Sequence, residues 1–459
     1  MKNPLLVPEL RELLAEGRSE SLRQFCETNH PVIVAEMLSA LEPPEAWEVL
    51  RLASRAVQSE IFTNIDPDLQ VELVDLLKRD DVVRLVGDMP PDDRADLFKR
   101  LPEDRREAIL PGFARAEREE IRRLASYAER TAGAIMTSDY VTLSPGLTVA
   151  QAIERVRKEA PDTESIYYAY VVDEGRRLLG LVSLKDLILA RPDALVQDVM
   201  HKDVVSVRAN EDQEEAARKI QKFDLIALPV VDENDAMVGI VTHDDALDVI
   251  VQEQTEDIEK LMAIGGAHEA SGYLKTSAWT HFRRRAGWVV ALAILGLVSG
   301  LIVQNFEALL VQFAILAAFM PMLADTGGNT GSQSATLVVR ALALREIGPR
   351  DVPRVLAKEF QVALLLGALL GVVAYGRVIV LGGGSTVPPG YSLPAIGVAI
   401  ATALGLQVIT ATLIGAILPL AVARLKFDPA VIASPALTTV VDITGLFIYF
   451  STAKVILGL

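Results

Sequence analysis

A single carboxylate interrupts the last apolar segment of the chain. Asp442 stands in TTVVDITGLFIYF, residues 438–450, where its neighbours are apolar or small. A charged side chain at the centre of a bilayer costs about 2.5–3.5 kcal/mol on insertion scales. The next basic residue, Lys454, is too far along the helix to pair with it. Either a neighbouring helix hydrogen-bonds Asp442, or a cation in a hydrated path neutralises it, and we favour the cation.

A second polar stretch, ADTGGNTGSQSATL at residues 324–337, lies inside an earlier apolar segment. We predict that the helix breaks near residues 324–334 and lines a pore; the alternative is close helix packing through small residues. Oxygen-only surroundings suit a hard cation, and Mg²⁺ keeps most of its waters, so a few outer oxygens can hold it. The candidate pore residues from both stretches are Asp325, Gly328, Asn329, Thr330 and Asp442.

Five apolar segments are long enough to cross about 30 Å of hydrocarbon. They cover roughly 286–304, 308–344, 360–381, 394–422 and 432–457. Lys and Arg precede the first segment and fill the second–third and fourth–fifth loops, whereas the loops QNFE and GGGSTVPPGYS carry none. The positive-inside rule therefore predicts a cytoplasmic N-terminus and an outside C-terminus. The charged, amphipathic N-terminal stretch lacks a signal-peptide pattern, which agrees with a cytoplasmic start.

The charge is divided unevenly between two parts of the chain. The net charge is −16, yet seven acidic and nine basic residues follow Ala286, so the preceding part is the acidic one. That acidity argues against a nucleic-acid partner and suits either cations or simple solubility. The single cysteine, Cys26, excludes an intrachain disulfide framework. We expect no enzymatic activity, because the five histidines form no metal-ligand pattern and no nucleophile motif or phosphate loop is present.

Four domains follow from these patterns. Residues 1–130 read as an acidic set of short helices, several opened by Asp/Glu–Pro sequences. Residues 131–253 contain a duplicated α/β unit with a 59-residue offset, residues 254–281 a charged connecting helix, and residues 282–459 the membrane domain. The predicted fold is thus an all-α N-domain, an α/β pair and an α-helical membrane domain with five transmembrane helices.

The duplicated unit resembles a pair of CBS domains. In that family a Gly-h-h-Ser/Thr-x-x-Asp stretch contributes to adenine-nucleotide binding. Here the stretch runs from Gly180 to Asp186 and from Gly239 to Asp245. The resemblance implies a candidate ATP site, although the same residues could merely cap the ends of strands. The candidate nucleotide-binding residues are Ser183, Asp186, Thr242 and Asp245.

The whole domain order resembles the MgtE family of magnesium channels and transporters. The most specific stretches are PMLADTGGNTGSQSATL and DPAVIASPALTTVVDITGLFIYF. The resemblance implies a homodimer in a bacterial inner membrane, with the aspartate matching Asp442 binding hydrated Mg²⁺ in a shared pore. It also implies that the connecting helices act as a plug, which Mg²⁺ bound between the cytosolic domains holds closed. Relatives often carry Ser-Asn-Pro before the fifth helix, where this chain has Ala433–Ser434–Pro435. Ser434 offers a hydroxyl in place of the amide, and it joins the candidate pore residues.

The resemblance also assigns a set of regulatory carboxylates. Bare, facing carboxylates repel each other and bridging Mg²⁺ draws them together, although each alone could be a solvated surface charge. The candidates are Asp92, Asp96, Asp212, Glu214, Asp224, Asp244, Asp245, Asp248, Glu253, Glu256, Asp257 and Asp428. Two rival functions remain open: a divalent-cation carrier coupled to Na⁺ or H⁺, and a membrane-tethered adenine-nucleotide sensor. The acid at Asp442 argues against the sensor, because a membrane anchor needs no carboxylate at the midplane.

Overall fold

The computed structural model describes residues 7–160, 163, 165–265, 273, 276–348, 350–381, 387–425, 427–428 and 435–459. The chain divides into two compact units, Met1–Glu253 and Gln254–Leu459.

The first unit opens with a stack of short helices, as predicted. Proline occupies the first turn of α3, α4, α6 and α8, where its missing N–H has no partner to lose. Most helices pack against the helix two places further along the chain, and fully buried side chains such as Leu38, Phe62 and Leu73 fill the core. The helices are α1 (Val7–Ala15), α2 (Ser19–Thr28), α3 (Pro31–Leu38), α4 (Pro43–Leu50), α5 (Arg55–Thr63), α6 (Pro67–Leu76), α7 (Arg79–Gly87), α8 (Pro91–Arg100), α9 (Glu103–Ile109) and α10 (Arg115–Ala125).

Two similar α/β modules follow. In each, a short strand pairs parallel to the middle strand, which pairs antiparallel to the third. The first module contains β1 (Tyr140–Leu143), α11 (Val149–Glu159), β2 (Ser165–Val172), β3 (Leu178–Ser183), α12 (Leu184–Leu189) and α13 (Val196–Val199). The second contains β4 (Val207–Arg208), α14 (Gln213–Phe223), β5 (Ala227–Val231), β6 (Met237–Thr242) and α15 (His243–Leu261).

The hairpin turns show the duplication in atomic detail. Asp173 Oδ1 accepts hydrogen bonds from the backbone N–H groups of Gly175 and Arg177, each at 2.8 Å. Asp232, 59 residues later, accepts from Asn234 and Ala236 at 2.8 and 2.9 Å. These Asx-type bonds hold equivalent tight turns, so the internal repeat predicted from the sequence is confirmed.

After the end of α15, the described residues of the second unit form five long helices and two short ones. They are α16 (Ala278–Asn305), α17 (Glu307–Gln312), α18 (Ala314–Ala317), α19 (Met320–Ala343), α20 (Val352–Leu381), α21 (Leu393–Arg424) and α22 (Pro435–Leu457). Among the described residues, four helices have the length and apolarity to cross a membrane: Ala278–Asn305, Val352–Val380, Leu393–Arg424 and Pro435–Leu457. Helix α19 is long enough, at roughly 36 Å, but is more polar, so the predicted count of five spans is not confirmed.

The predicted break near residues 324–334 is wrong. Helix α19 runs without interruption through this stretch. Thr326 and Thr330 donate their hydroxyls to carbonyls of the preceding turn, Met322 O at 2.7 Å and Thr326 O at 2.9 Å. Gly327 and Gly331 lie against neighbouring helices, so the alternative reading, close packing through small residues, describes the glycines.

The connecting helix also differs from its predicted bounds of 254–281. Helix α15 starts directly after β6 and ends at Leu261, and residues 262–265 are not helical. Helix α16 then starts at Ala278, so Arg283, Arg284 and Arg285 lie within this helix, just before its apolar residues.

Candidate ion pathway

One face of α19 is lined with polar side chains. Six residues at helical spacing, of which Ser332 and Gln333 are adjacent and the others follow at three or four residues, are exposed or half-buried in the chain. They are Asp325, Asn329, Ser332, Gln333, Thr336 and Arg340, here called the polar stripe. Asn329 Nδ2 donates to Asp325 Oδ1 at 3.2 Å, which fixes the first turn of the stripe. Lipid cannot solvate such a face, so within a bilayer the stripe requires water or protein against it.

Asp442 lies on α22, seven residues from the start of the helix, or about 10 Å along its axis. Its Oδ1 atom is buried and has no hydrogen-bond partner among the described residues. The nearby hydroxyls of Thr439 and Thr444 donate to carbonyls of their own helix, Pro435 O and Val440 O, at 3.1 and 2.8 Å. The alternative reading, in which a helix–helix hydrogen bond satisfies this carboxylate, therefore lacks support at Oδ1.

The packing of α19 against α22 sets the level of Asp442. A Cβ on Gly328 would lie 3.1 Å from the Thr438 side chain, and one on Gly327 would lie 3.1 Å from Val441. Thr438 and Asp442 are four residues apart and share one face of α22. Asp442 thus lies level with the turn of α19 that carries Asp325, and the two acids occupy similar depths.

The remaining pore candidates have different environments. Gly328 is buried, and its lack of a side chain allows Thr438 of α22 to pack against α19 at this position. Thr330 is buried beside the polar stripe and lines a pocket of about 420 Å³ with Ser334, Glu359 and the stripe residues Gln333 and Arg340. Ser434 falls outside the described residues.

Sequence reasoning missed the rest of the polar stripe. Ser332, Thr336 and Arg340 continue the spacing begun by Asp325 and Asn329, so helical periodicity in 325–340 could have identified them. The helical spacing was not recognised because a break in the helix was predicted at these residues.

Asp92 and Asp96 share one face of α8, as predicted, but differ in environment. Burial raises the pKa of Asp92, which also hydrogen-bonds the Thr137 hydroxyl, and one of its oxygens is buried without a partner. Asp96 forms an ion pair with Lys99 at 3.0 Å. Asp92 is therefore the candidate that would gain more from a bound cation.

Several candidates in the second α/β module have local roles. Asp212 caps α14 by accepting from the Glu214 N–H at 2.8 Å, and Glu214 pairs with Arg218 at 2.6 Å. Asp224 ends α14 in a left-handed conformation, with φ of 49°. Glu253 accepts from Gln213 Nε2 at 2.8 Å, while Asp244 and Asp248 are exposed on α15.

Three further candidates lie in the second unit. The ammonium of Lys260 contacts Glu256 Oε1 and Asp428 Oδ2, each at 2.7 Å, while Asp257 is exposed. Glu256 is only 3% exposed, and the contact with Lys260 therefore neutralises its carboxylate inside the protein. Nowhere in the described ranges do three or more His, Cys, Asp or Glu side chains come together to hold a metal.

The candidate nucleotide residues cap helices. Ser183 Oγ donates to Asp186 Oδ2 at 2.6 Å and accepts from the Asp186 N–H at 3.1 Å, which forms a capping box at the start of α12. These bonds to Ser183, with a smaller contribution from His201, lower the pKa of Asp186. The Thr242 hydroxyl likewise donates to Asp245 Oδ2 at the start of α15, and the capping alternative is supported by a full capping box at α12.

Comparisons with known proteins agree with this domain order. Family profiles match residues 29–130 as the MgtE intracellular N domain, 132–193 and 196–252 as CBS domains, and 320–452 as a divalent cation transporter, MgtE. The magnesium transporter MgtE of Thermus thermophilus is 39% identical over 455 residues, which cover 98% of each chain. This chain belongs to the MgtE family. The two predicted resemblances, to MgtE proteins and to CBS pairs, are confirmed.

Other MgtE relatives cover less of the chain. The magnesium transporter MgtE of Bacillus subtilis is 38% identical over 75% of this chain and 73% of its own length. A crystal structure of the cytosolic domain of the Mg²⁺ channel MgtE in complex with ATP is 38% identical, with a TM-score of 0.50, and covers 53% of this chain and all of that one. The soluble part of a magnesium transporter is 30% identical at the same TM-score.

Proposed function

We propose that this MgtE-family chain forms a Mg²⁺-selective channel in which Asp442 meets the hydrated ion. The observation that supports the proposal is a buried, partnerless carboxylate oxygen of Asp442, level with the polar stripe of α19. A divalent ion with its water shell neutralises such a carboxylate and donates hydrogen bonds to it. The oxygens of Asp325 and Asn329 would face the same waters.

A homodimer would complete the pathway. In one chain the polar stripe is exposed or half-buried along about four turns of α19. A second copy related by a two-fold axis would set another stripe and another Asp442 against the first, and so enclose a wet path shielded from lipid.

Gating would use the cytosolic carboxylates. The first unit carries most of the negative charge. Its half-buried Asp92, whose Oδ1 atom is fully buried, has a raised pKa because burial penalises the charged form. Mg²⁺ bound at such carboxylates favours whichever arrangement of the domains brings them together. Cytoplasmic Mg²⁺ would thereby close the pathway. ATP bound at the CBS modules is a second proposed ligand, supported by the ATP complex of the related cytosolic domain.

A carrier coupled to H⁺ or Na⁺ is the second candidate function. The observation that favours it is the pocket between α19 and α20, where Ser334 Oγ donates to Glu359 Oε2 at 2.8 Å beside the buried hydroxyls of Thr330 and Thr412. A carboxylate among hydroxyls could bind a monovalent cation or a proton away from Asp442.

Flux through reconstituted protein tests both readings. The full chain in liposomes is assayed for Mg²⁺ uptake beside Asp442→Asn, with Thr444→Val as a control on the same helix. We expect at least a tenfold loss in Asp442→Asn, little change in Thr444→Val, and inhibition of the parent by Mg²⁺ on the cytoplasmic face. Parent-like flux in Asp442→Asn would refute the pore assignment, and flux insensitive to cytoplasmic Mg²⁺ would refute the gate. Flux that requires a Na⁺ or H⁺ gradient, without single-channel currents, would favour the carrier.

A further inference from the structure

A buried amide joins three helices of the second unit. Gln407, near the middle of α21, is only 1% exposed. Its Nε2 donates to the Leu323 carbonyl of α19 at 2.9 Å. A buried polar side chain is costly unless it is hydrogen-bonded, and its Oε1 has no partner among the residues described. With one amide atom unbonded, the contribution of Gln407 to the stability of the fold is a weak explanation for a glutamine at this position.

Two glycines make room for this amide. A Cβ on Gly327 of α19 would lie 2.1 Å from Gln407 Nε2, and a Cβ on Gly445 of α22 would lie 2.5 Å from it. The Gly445 Cβ would also meet Cδ and Cγ of the same side chain at 3.0 Å. Because Gln407 Nε2 is bonded to Leu323 O and lies against both glycines, a methyl group added at Gly445 would either force the amide out of this hydrogen bond or separate the helices.

The same contacts set the position of the two acids. Leu323 and Gly327 bracket Asp325 on α19, and Gly445 is three residues from Asp442 on α22. An amide held between these turns fixes the separation of α19 from α22 at the level of both carboxylates. Small residues allow helices to approach closely, and a single side chain between them then defines the distance.

We propose that Gln407 is a positioning residue, which sets the spacing between α19 and α22 and hence between Asp325 and Asp442. The inference rests on the proposed ion pathway for its functional consequence, but not for the spacing itself. Gln407 does not need to touch the ion. It acts through the two helices that carry the acids.

Variants of the full chain in liposomes test the functional consequence. We expect Gly445→Ala to lower Mg²⁺ flux at least tenfold and to change the ratio of Mg²⁺ to Ca²⁺ flux. The control is Gly376→Ala on α20, where a Cβ would meet nothing within 4 Å and flux should stay at the parental level. Simple loss of folded protein would lower both ion fluxes equally and leave the ratio unchanged.

The double variant gives the sharper result. Gln407→Ala removes the amide that the methyl group introduced by Gly445→Ala would strike. The double variant Gly445→Ala/Gln407→Ala should therefore carry at least threefold more Mg²⁺ than Gly445→Ala alone. Parental flux and ion ratio in Gly445→Ala, or a double variant no better than that single variant, would overturn the proposal.

The spacing can be measured without any flux. Structures of the parent and Gly445→Ala determined by electron cryo-microscopy should show α19 and α22 further apart at this level in the variant, and an unchanged separation would overturn the inference. If the parent carries no Mg²⁺, the proposed function fails, while this comparison still decides the role of Gln407.

Discussion

Lys260 neutralises two carboxylates that the family resemblance assigns to Mg²⁺. Its ammonium lies 2.7 Å from both Glu256 and Asp428, with the Glu256 side chain 4% exposed and that of Asp428 38% exposed. In Lys260→Met the stem remains and the charge is lost. Breaking a buried ion pair costs about 3–5 kcal/mol, and the exposure of Asp428 to solvent places the expected loss near the lower end, at about 3 kcal/mol.

Thermal unfolding of the full chain in detergent measures this loss. If the second unit of the chain unfolds as one body, about 3 kcal/mol corresponds to a fall of roughly 6–12 °C in its melting temperature. Lys222→Met is a suitable control, because Lys222 is exposed on α14 and packs on Phe223 rather than pairing with an acid. A melting temperature for Lys260→Met equal to that of Lys222→Met would refute the reasoning.

Mg²⁺ should replace the missing ammonium. At ten times its dissociation constant, a ligand that binds only the folded state adds about 1.4 kcal/mol, so Mg²⁺ should stabilise Lys260→Met more than the parent. Equal or greater stabilisation of the parent would show that Lys260 does not compete with the ion.

The pH dependence follows from the sign of the shift. Burial lowers the pKa of Lys260, but its bonds to Asp428 and Glu256 outweigh that effect and raise the pKa above 10.5. Because the folded value lies above the unfolded one, the contribution of Lys260 to stability is complete at neutral pH. It declines only as the pH rises past 10.5 through the folded pKa.

Two further substitutions have clear expected outcomes. Asp92→Asn should raise the melting temperature at pH 7, because burial penalises the charged carboxylate of the parent. The gain should vanish below pH 3.8, where this carboxylate is protonated in the unfolded chain as well as in the folded one. Thermal melts from pH 3 to 8 measure the difference, and no gain at pH 7 would contradict the prediction. Gly415→Ala should destabilise the protein by about 1–3 kcal/mol or more. The added Cβ would lie 2.2 Å from the Gly331 carbonyl oxygen, a backbone atom that cannot rotate away. Thermal melts beside Gly376→Ala measure the difference, and equal melting temperatures for the two variants would contradict the prediction.

Much of the architecture could be predicted from local patterns. The helices opened by proline, the duplicated module and the long apolar segments are all visible as composition and spacing, because propensity, turn chemistry and hydrophobic period act over a few residues. Asp442 was identifiable for the same reason, since one acid in an apolar run stands out without knowledge of its neighbours. The domain order then sufficed to recognise the family.

Tertiary structure decided what surrounds these residues. Residues 324–334 appear as a helix breaker in sequence, yet they form a continuous helix because Gly327 and Gly331 pack against α21 and α22. Gln407 meets Leu323 across 84 residues and Lys260 meets Asp428 across 168, pairings that a single sequence does not reveal. The physical reason is that glycines and buried polar groups stabilise the fold through contacts with residues distant in sequence. Their role therefore depends on which helices the fold brings together.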